Sequence, residues 1–193
     1  MLTAVRREIN EDDHILWLRM LEGDQEALAE LFCRYYEMLY DYGLKLSHLP
    51  ELTRDSIQDV FVYIWEKRNN IAKVDSVKAY LLVCLRRHVL HLIEKYKKNK
   101  KALESVKSEH INGAVSLEDL VIMKTIEAEN REQIIQALNQ IPPRVREALY
   151  LKTYDGLSYK EIAQIMNISP QVARNYVYEA FQKLRTLLVK QLN

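Results

Sequence analysis

Ser158-Tyr159-Lys160-Glu161-Ile162-Ala163-Gln164-Ile165-Met166-Asn167-Ile168-Ser169-Pro170-Gln171-Val172-Ala173-Arg174 is the stretch whose reading decides the fold. Ser158 and Glu161 form a capping box, in which the serine caps the helix start and the glutamate three positions on returns the bond. The helix they open, Tyr159 to Met166, buries Ile162, Ala163 and Ile165. Asn167-Ile168-Ser169 is a tight turn, after which Ser169 caps a second helix. Pro170 takes its first position, where a missing N–H costs nothing. Ala173, Val177, Ala180 and Leu184 then recur at i, i+4, i+7 and i+11 as the packed face. Small Ala163 and Ala173 allow the two helices to cross closely, the requirement of a helix-turn-helix.

The outward side of the second helix carries Gln171, Val172, Arg174, Asn175 and Tyr178. Arginine and the amide side chains make paired hydrogen bonds to guanine and adenine edges in a major groove. Lys160, Lys183 and Arg185 are placed to hold phosphates. A plain helical hairpin with a solvated face is the competing reading; two formed caps, a short turn and a polar face together favour DNA binding.

Upstream, a helix is expected from about Leu117 to Leu138, and Ile141-Pro142-Pro143 stops it because neither proline offers a backbone donor. Arg144 to Tyr154 is helical and closes at Asp155-Gly156. Between Lys97 and Ala114 the chain is polar, lacks apolar periodicity and contains Asn112-Gly113, so it reads as a flexible linker.

Before the linker the pattern is again helical. Asp13 to Met20 is a short helix, and Gly23-Asp24 a break. Asp24 caps a long helix to about Ser47, with Ala27, Leu28, Leu31, Phe32, Tyr35, Leu39 and Tyr42 at helical spacing. His48-Leu49-Pro50 ends it. Thr53 is the expected cap of the next helix, whose Ile57, Val60, Phe61, Ile64 and Trp65 form a full apolar stripe up to the stop at Asn69-Asn70. Asp75 or Ser76 caps a fourth helix that runs to roughly Lys97. The fold class is therefore all-α: two small helical domains, residues 10–97 and 117–190, joined by a flexible linker over 98–116.

Composition agrees. Of 193 residues, 48% are apolar, and only four Gly and four Pro interrupt the chain. The net charge of +1 hides an uneven distribution. Between Asn70 and Lys101, Lys73, Lys78, Arg86, Arg87, Lys95, Lys97, Lys98, Lys100 and Lys101 are opposed only by Asp75 and Glu94. The segment from Arg131 onward is also basic, whereas residues 1–69 are acidic, which suits a protein that meets a polyanion in two places. Cys33 and Cys84 make no disulfide framework, the charged start from Met1 to His14 has no apolar core, and no apolar stretch reaches the length of a membrane helix. The expectation is a cytoplasmic protein with no membrane insertion and no cofactor. Cys84, His88 and His91, at i, i+4 and i+7, could share a metal, but a buried Cys beside two half-exposed His is the better reading and no fourth ligand accompanies them. No nucleophile–base pair or glycine-rich phosphate loop suggests an enzyme.

Here the chain resembles the extracytoplasmic-function (ECF) group of the sigma-70 superfamily. Ile141 to Ala148, Tyr154 to Ala163 and Ala180-Phe181-Gln182-Lys183-Leu184-Arg185 are similar to the group's region 4, which reads the promoter −35 element. Gly23-Asp24-Gln25-Glu26-Ala27-Leu28 with Leu31-Phe32 and Tyr35-Tyr36 looks like region 2.1. Asp55-Ser56-Ile57-Gln58-Asp59-Val60-Phe61-Val62-Tyr63-Ile64-Trp65-Glu66 looks like region 2.2, and Ala79-Tyr80-Leu81 opens a helix similar to regions 2.3 and 2.4.

The resemblance implies a chain that binds RNA polymerase core and brings it to promoter DNA. The polar face Asp55, Gln58, Asp59, Val62 and Glu66 would dock on the clamp helices of the largest subunit, and region 4 on the flap. Asn69 and Asn70 would capture a flipped base at −10, with Lys73, Lys78, Arg86 and Arg87 along the single strand. Tyr80 is either a stacking surface there or part of the core. The chain departs from the family pattern at Val83, where many relatives are basic, and at Arg87, where many carry Asn. An anti-sigma partner covering both DNA-reading surfaces is a further implication. The alternative is a helical sensor domain joined to the same helix-turn-helix, which predicts DNA binding without polymerase; nothing in the first half suggests a receiver sheet or a ligand pocket.

Overall fold

A computed structural model describes residues 12–103 and 138–191, and these are helical throughout apart from short connections. Helix α1 (Asp13–Leu21) starts at Asp12, whose carboxylate accepts from the His14 N–H at 2.8 Å. Helix α2 (Gln25–Ser47) starts at Asp24 as expected. One oxygen of Asp24 accepts from the Glu26 and Ala27 amides at 2.9 and 3.2 Å, and the other holds Arg19 at 2.7 Å. That one carboxylate therefore caps a helix and ties it to its neighbour. His48, in the left-handed region at φ 56°, turns the chain out of α2.

Helix α3 (Pro50–Lys67) begins earlier than the sequence suggested. Pro50 occupies the first turn, so Thr53 is not a cap but a buried residue inside the helix, its hydroxyl 2.8 Å from Ser47 Oγ and 3.0 Å from the Leu49 carbonyl. A proline preset for helical φ nucleates the turn before threonine can cap it. At this junction α2 approaches closely: a Cβ on Gly43 would lie 2.8 Å from Thr53 Cγ2, so only glycine fits. A 3-10 turn, Arg68–Asn70, closes α3.

Ser76, rather than Asp75, caps helix α4 (Val77–Leu103), accepting from the Ala79 amide at 3.2 Å. The helix outruns its expected end at Lys97 because the lysine-rich segment that follows has good helix propensity and no breaker. The rest of the expected linker, and nearly all of the expected helix from Leu117 to Leu138, lie outside the described residues. Helices α5 (Pro143–Thr153), α6 (Tyr159–Met166) and α7 (Pro170–Gln191) complete the order. At the head of α5, Arg146 donates to the Ile141 carbonyl at 2.9 Å and secures the turn around the two prolines.

In the first module Leu16, Trp17, Leu31, Leu39, Ile57, Phe61, Leu81 and Leu85 are buried between α1, α2, α3 and α4. In the second, Ala148, Ile162, Ala163, Ala173 and Val177 are buried between α5, α6 and α7. These groups form one continuous apolar cluster, because α2 and α4 pack against α5 and α6. The modules that the sequence joins by a tether are thus also in direct contact. Among the described residues, no helix is long and apolar enough to cross a membrane.

Candidate nucleic-acid interface

The two helices of the C-terminal motif have the form the sequence requires. Ser158 Oγ accepts from the Glu161 amide at 3.2 Å and the Glu161 carboxylate accepts from the Ser158 amide at 2.8 Å. Hydrogen bonds from Ser158 hold the Glu161 carboxyl below its usual range although burial acts against them. Asn167, left-handed at φ 52°, makes the turn, and Ser169 Oγ accepts from the Val172 amide at 3.2 Å. Ala173 and Ala180 are fully buried, with Val177 nearly so, which fixes the rotation of α7 and sends the opposite side outward.

On that outward side Gln171, Arg174, Asn175 and Tyr178 are exposed, and Val172 is half-buried. Gln171 Nε2 donates to Asn175 Oδ1 at 3.0 Å, so the two amides are linked before any ligand arrives. The Arg174 guanidinium lies 5.4 Å from the Tyr159 ring centre, a cation–π contact that limits where it can point. Lys160 and Arg185 are exposed, and Lys183 pairs with Glu179 at 2.7 Å.

A cavity of about 330 Å³ opens between α3, the loop after it and the start of α4, at the small end of the range for ligand pockets. Asn70, Lys73 and Tyr80 line it, joined by Tyr63, Lys67, Ile71 and Val74. Tyr80 lines this cavity and also packs edge-on against buried Trp17, with centroids 5.2 Å apart. Asn69 is exposed on the 3-10 turn beside the cavity.

Lys78 and Arg86 are elsewhere. Lys78 Nζ donates to the Asp155 carbonyl at 2.6 Å, and Arg86 donates to both oxygens of Glu147 at 2.7 and 3.2 Å. Both cations therefore face the second module. Arg87 is exposed and borders a second cavity, of about 320 Å³, with Asp59, Tyr63, Cys84, His88 and His91. Cys84 and the two histidines thus share a cavity wall, but among the described residues no three His, Cys, Asp or Glu side chains come together as a metal site. Burial pushes the Cys84 thiol up.

Asp55, Gln58, Asp59, Val62 and Glu66, the residues expected to dock on polymerase, are all exposed along α3. Tyr63, absent from the residues the sequence singles out, is 53% exposed next to Val62 and borders both cavities. Its position between core residues Phe61 and Ile64, off their helical spacing, was the available signal.

Asp155 carries a buried carboxyl at the module junction. Burial pushes it up to about 6, against the lowering effect of Lys78 and Lys45 and with a small contribution from Asp41. A carboxyl raised in the folded state binds its proton there first, so its contribution to stability grows as pH falls through about 6 and is complete near the unfolded value of about 4. Asp155→Asn is therefore expected to raise the unfolding midpoint at pH 7.5 and to reduce the gain that the native chain shows between pH 7.5 and 5. Thermal melts of both proteins across that range check it, and an unchanged pH dependence would refute the assignment.

Residues 131–184 match the family model "Sigma-70, region 4". The chain is 26% identical over 169 residues to "ECF RNA polymerase sigma factor SigM" of Bacillus subtilis, covering 86% of this chain and 98% of that protein. It is 23% identical over 175 residues to "RNA polymerase sigma factor CarQ" of Myxococcus xanthus, covering 88% and 94%. Among solved structures, CnrH in complex with the cytosolic domain of CnrY superimposes with a TM-score of 0.63 at 18% identity, over 93% of this chain and 99% of that one. RpoE in complex with the anti-sigma factor NepR from Bartonella quintana gives 0.61 at 21% identity, over 83% and 95%. The fold is that of these solved structures, and residues 131–184 carry the sigma-70 region 4 pattern. Along most of its length the chain is similar to ECF sigma factors.

Proposed function

We propose that this protein is an alternative sigma factor: it binds RNA polymerase core and directs promoter-specific initiation, while all bond-making chemistry stays with the polymerase. The observation that carries the reading is the pairing, in one chain, of an outward reading helix with a pocketed, partly basic loop. In this reading residues 117–190 place α7 in the major groove at −35, through Gln171, Val172, Arg174, Asn175 and Tyr178 on bases and Lys160, Lys183 and Arg185 on phosphates. Residues 10–97 act at −10. Asn70, Lys73 and Tyr80 receive an extruded base in the cavity after α3, Asn69 flanks it, and Lys78, Arg86 and Arg87 follow the strand once they are free to do so. Residues 98–116 span the two.

Core polymerase meets the acidic, exposed face of α3, and region 4 meets the flap. Complexes of the similar CnrH with CnrY and RpoE with NepR support an inhibitory protein partner as well. Attraction between an acidic face and a basic dock speeds encounter and selects register. Asp55→Lys with Asp59→Lys should therefore weaken binding to purified core polymerase by roughly tenfold or more while leaving the helix content intact. Fluorescence titration of the labelled chain with core enzyme measures this. Equal affinity for the charge-reversed chain would remove the docking assignment. If the native chain shows no affinity for core yet binds duplex DNA, the reading passes to a free-standing helix-turn-helix regulator.

A further inference from the structure

The contact between the two modules includes cations that sequence reading gives to DNA. Glu147 on α5 is only 2% exposed, yet it accepts from Arg86 Nε at 2.7 Å, Arg86 Nη2 at 3.2 Å and the Tyr42 hydroxyl at 2.7 Å. Burial disfavours the Arg86 charge, but the Glu147 carboxylate more than offsets it and the guanidinium is held above its ordinary value. Close by, Lys78 is held by the Asp155 carbonyl, and at the rim Lys160 reaches Asp75 at 3.5 Å. Tyr42 and Tyr150 stack across the junction at 6.3 Å, with Lys45 over the Tyr150 ring at 4.8 Å.

The apolar residues of this junction continue the core, but its charges act differently. Buried ion pairs add little net stability, because the attraction between the charges is spent on their desolvation, but they fix one arrangement. Contacts between domains are commonly of this polar, separable type. While Glu147 holds the Nε–Nη2 edge of the Arg86 guanidinium, a phosphate cannot take that edge. Lys78 is tied to the Asp155 carbonyl by one of its three donors.

We propose that the chain masks itself: the Glu147 carboxylate on α5 takes the place of a DNA phosphate on Arg86, so the free protein is latched shut against single-stranded DNA. This rests on the proposed role of Arg86 and Lys78 in the strand path. The latch is one-sided. Arg174, Asn175 and Tyr178 stay exposed while it is closed, so duplex recognition by α7 is left open. Opening requires a polyanion or a partner to replace Glu147, and it uncovers Tyr42 and Tyr150 as fresh apolar surface.

The test uses the full chain with Cys84→Ser, spin-labelled at exposed Cys33 on α2 and at Gln164→Cys on α6. Pulsed electron resonance should give one narrow distance for the otherwise native chain and a broader, longer distribution for Glu147→Gln. In parallel, the affinity for random-sequence single-stranded DNA 12-mers should rise about tenfold in Glu147→Gln. Tyr42→Phe, which removes one hydroxyl and keeps the ring, should move both readings the same way by about threefold and guards against a folding defect in the first variant. A broad distribution in the native chain, or a narrow one in Glu147→Gln, would overturn the latch and leave the sigma reading standing. Opening without tighter DNA binding would instead overturn the masking role, and with it the strand-path assignment of Arg86 and Lys78.

Discussion

Trp17→Ala is expected to lower the free energy of unfolding by about 3–5 kcal/mol, the range for truncating a fully buried large aromatic. Trp17 is 1% exposed, and its ring packs edge-on against Tyr80 on α4 at 5.2 Å. It is the main side chain by which the short helix α1 is held, beside Leu16 and Met20. Removing it leaves a cavity that the surrounding helices close only in part. The same change takes away the support of Tyr80, one wall of the loop cavity. Promoter opening should therefore fall even at temperatures where the variant is folded, while duplex binding at −35 is retained. Urea unfolding at constant m-value measures the first effect, and a loss under about 1 kcal/mol would contradict the packing described.

Arg174→Ala is expected to weaken binding to a cognate −35 duplex by about 10–100-fold, the discrimination of one good bidentate base contact. The helix caps at Ser158 and Ser169 set where α7 begins, buried Ala173 sets its rotation, and Tyr159 restrains the guanidinium. Arg174→Lys should recover little, since an ammonium lacks the planar fork. Arg185→Ala is the control: a phosphate contact should be lost uniformly over all sequences, with the salt slope reduced by about one. Binding of each variant to a duplex pool and to its selected winner separates the two. If Arg174→Ala weakens every duplex equally, Arg174 does not read sequence.

Local features were legible in the sequence because local chemistry decides them. The capping box at Ser158, the cap at Asp24 and the buried stripe of α3 each lie within a few residues and leave few alternatives. Thr53 was misread because two helix-start signals stand three residues apart, and proline at the first turn prevails. The end of α4 was missed because lysines serve a linker and an exposed helix equally well. The junction was the least legible part. Tyr42, Arg86 and Glu147 are far apart in the chain, and no periodicity links a basic residue on one helix to an acidic one on another module. From sequence, Arg86 looks like a strand contact, and nothing pairs it with Glu147.

Start-site selection on bare core polymerase is the most direct measurement. Purified core enzyme with the full chain, and with any inhibitory partner absent, should transcribe a randomised promoter library from discrete sites. Those sites should share two short elements at one fixed spacing, with the upstream element lost on Arg174→Ala. Core enzyme that starts no differently with the chain than without it would contradict the central claim.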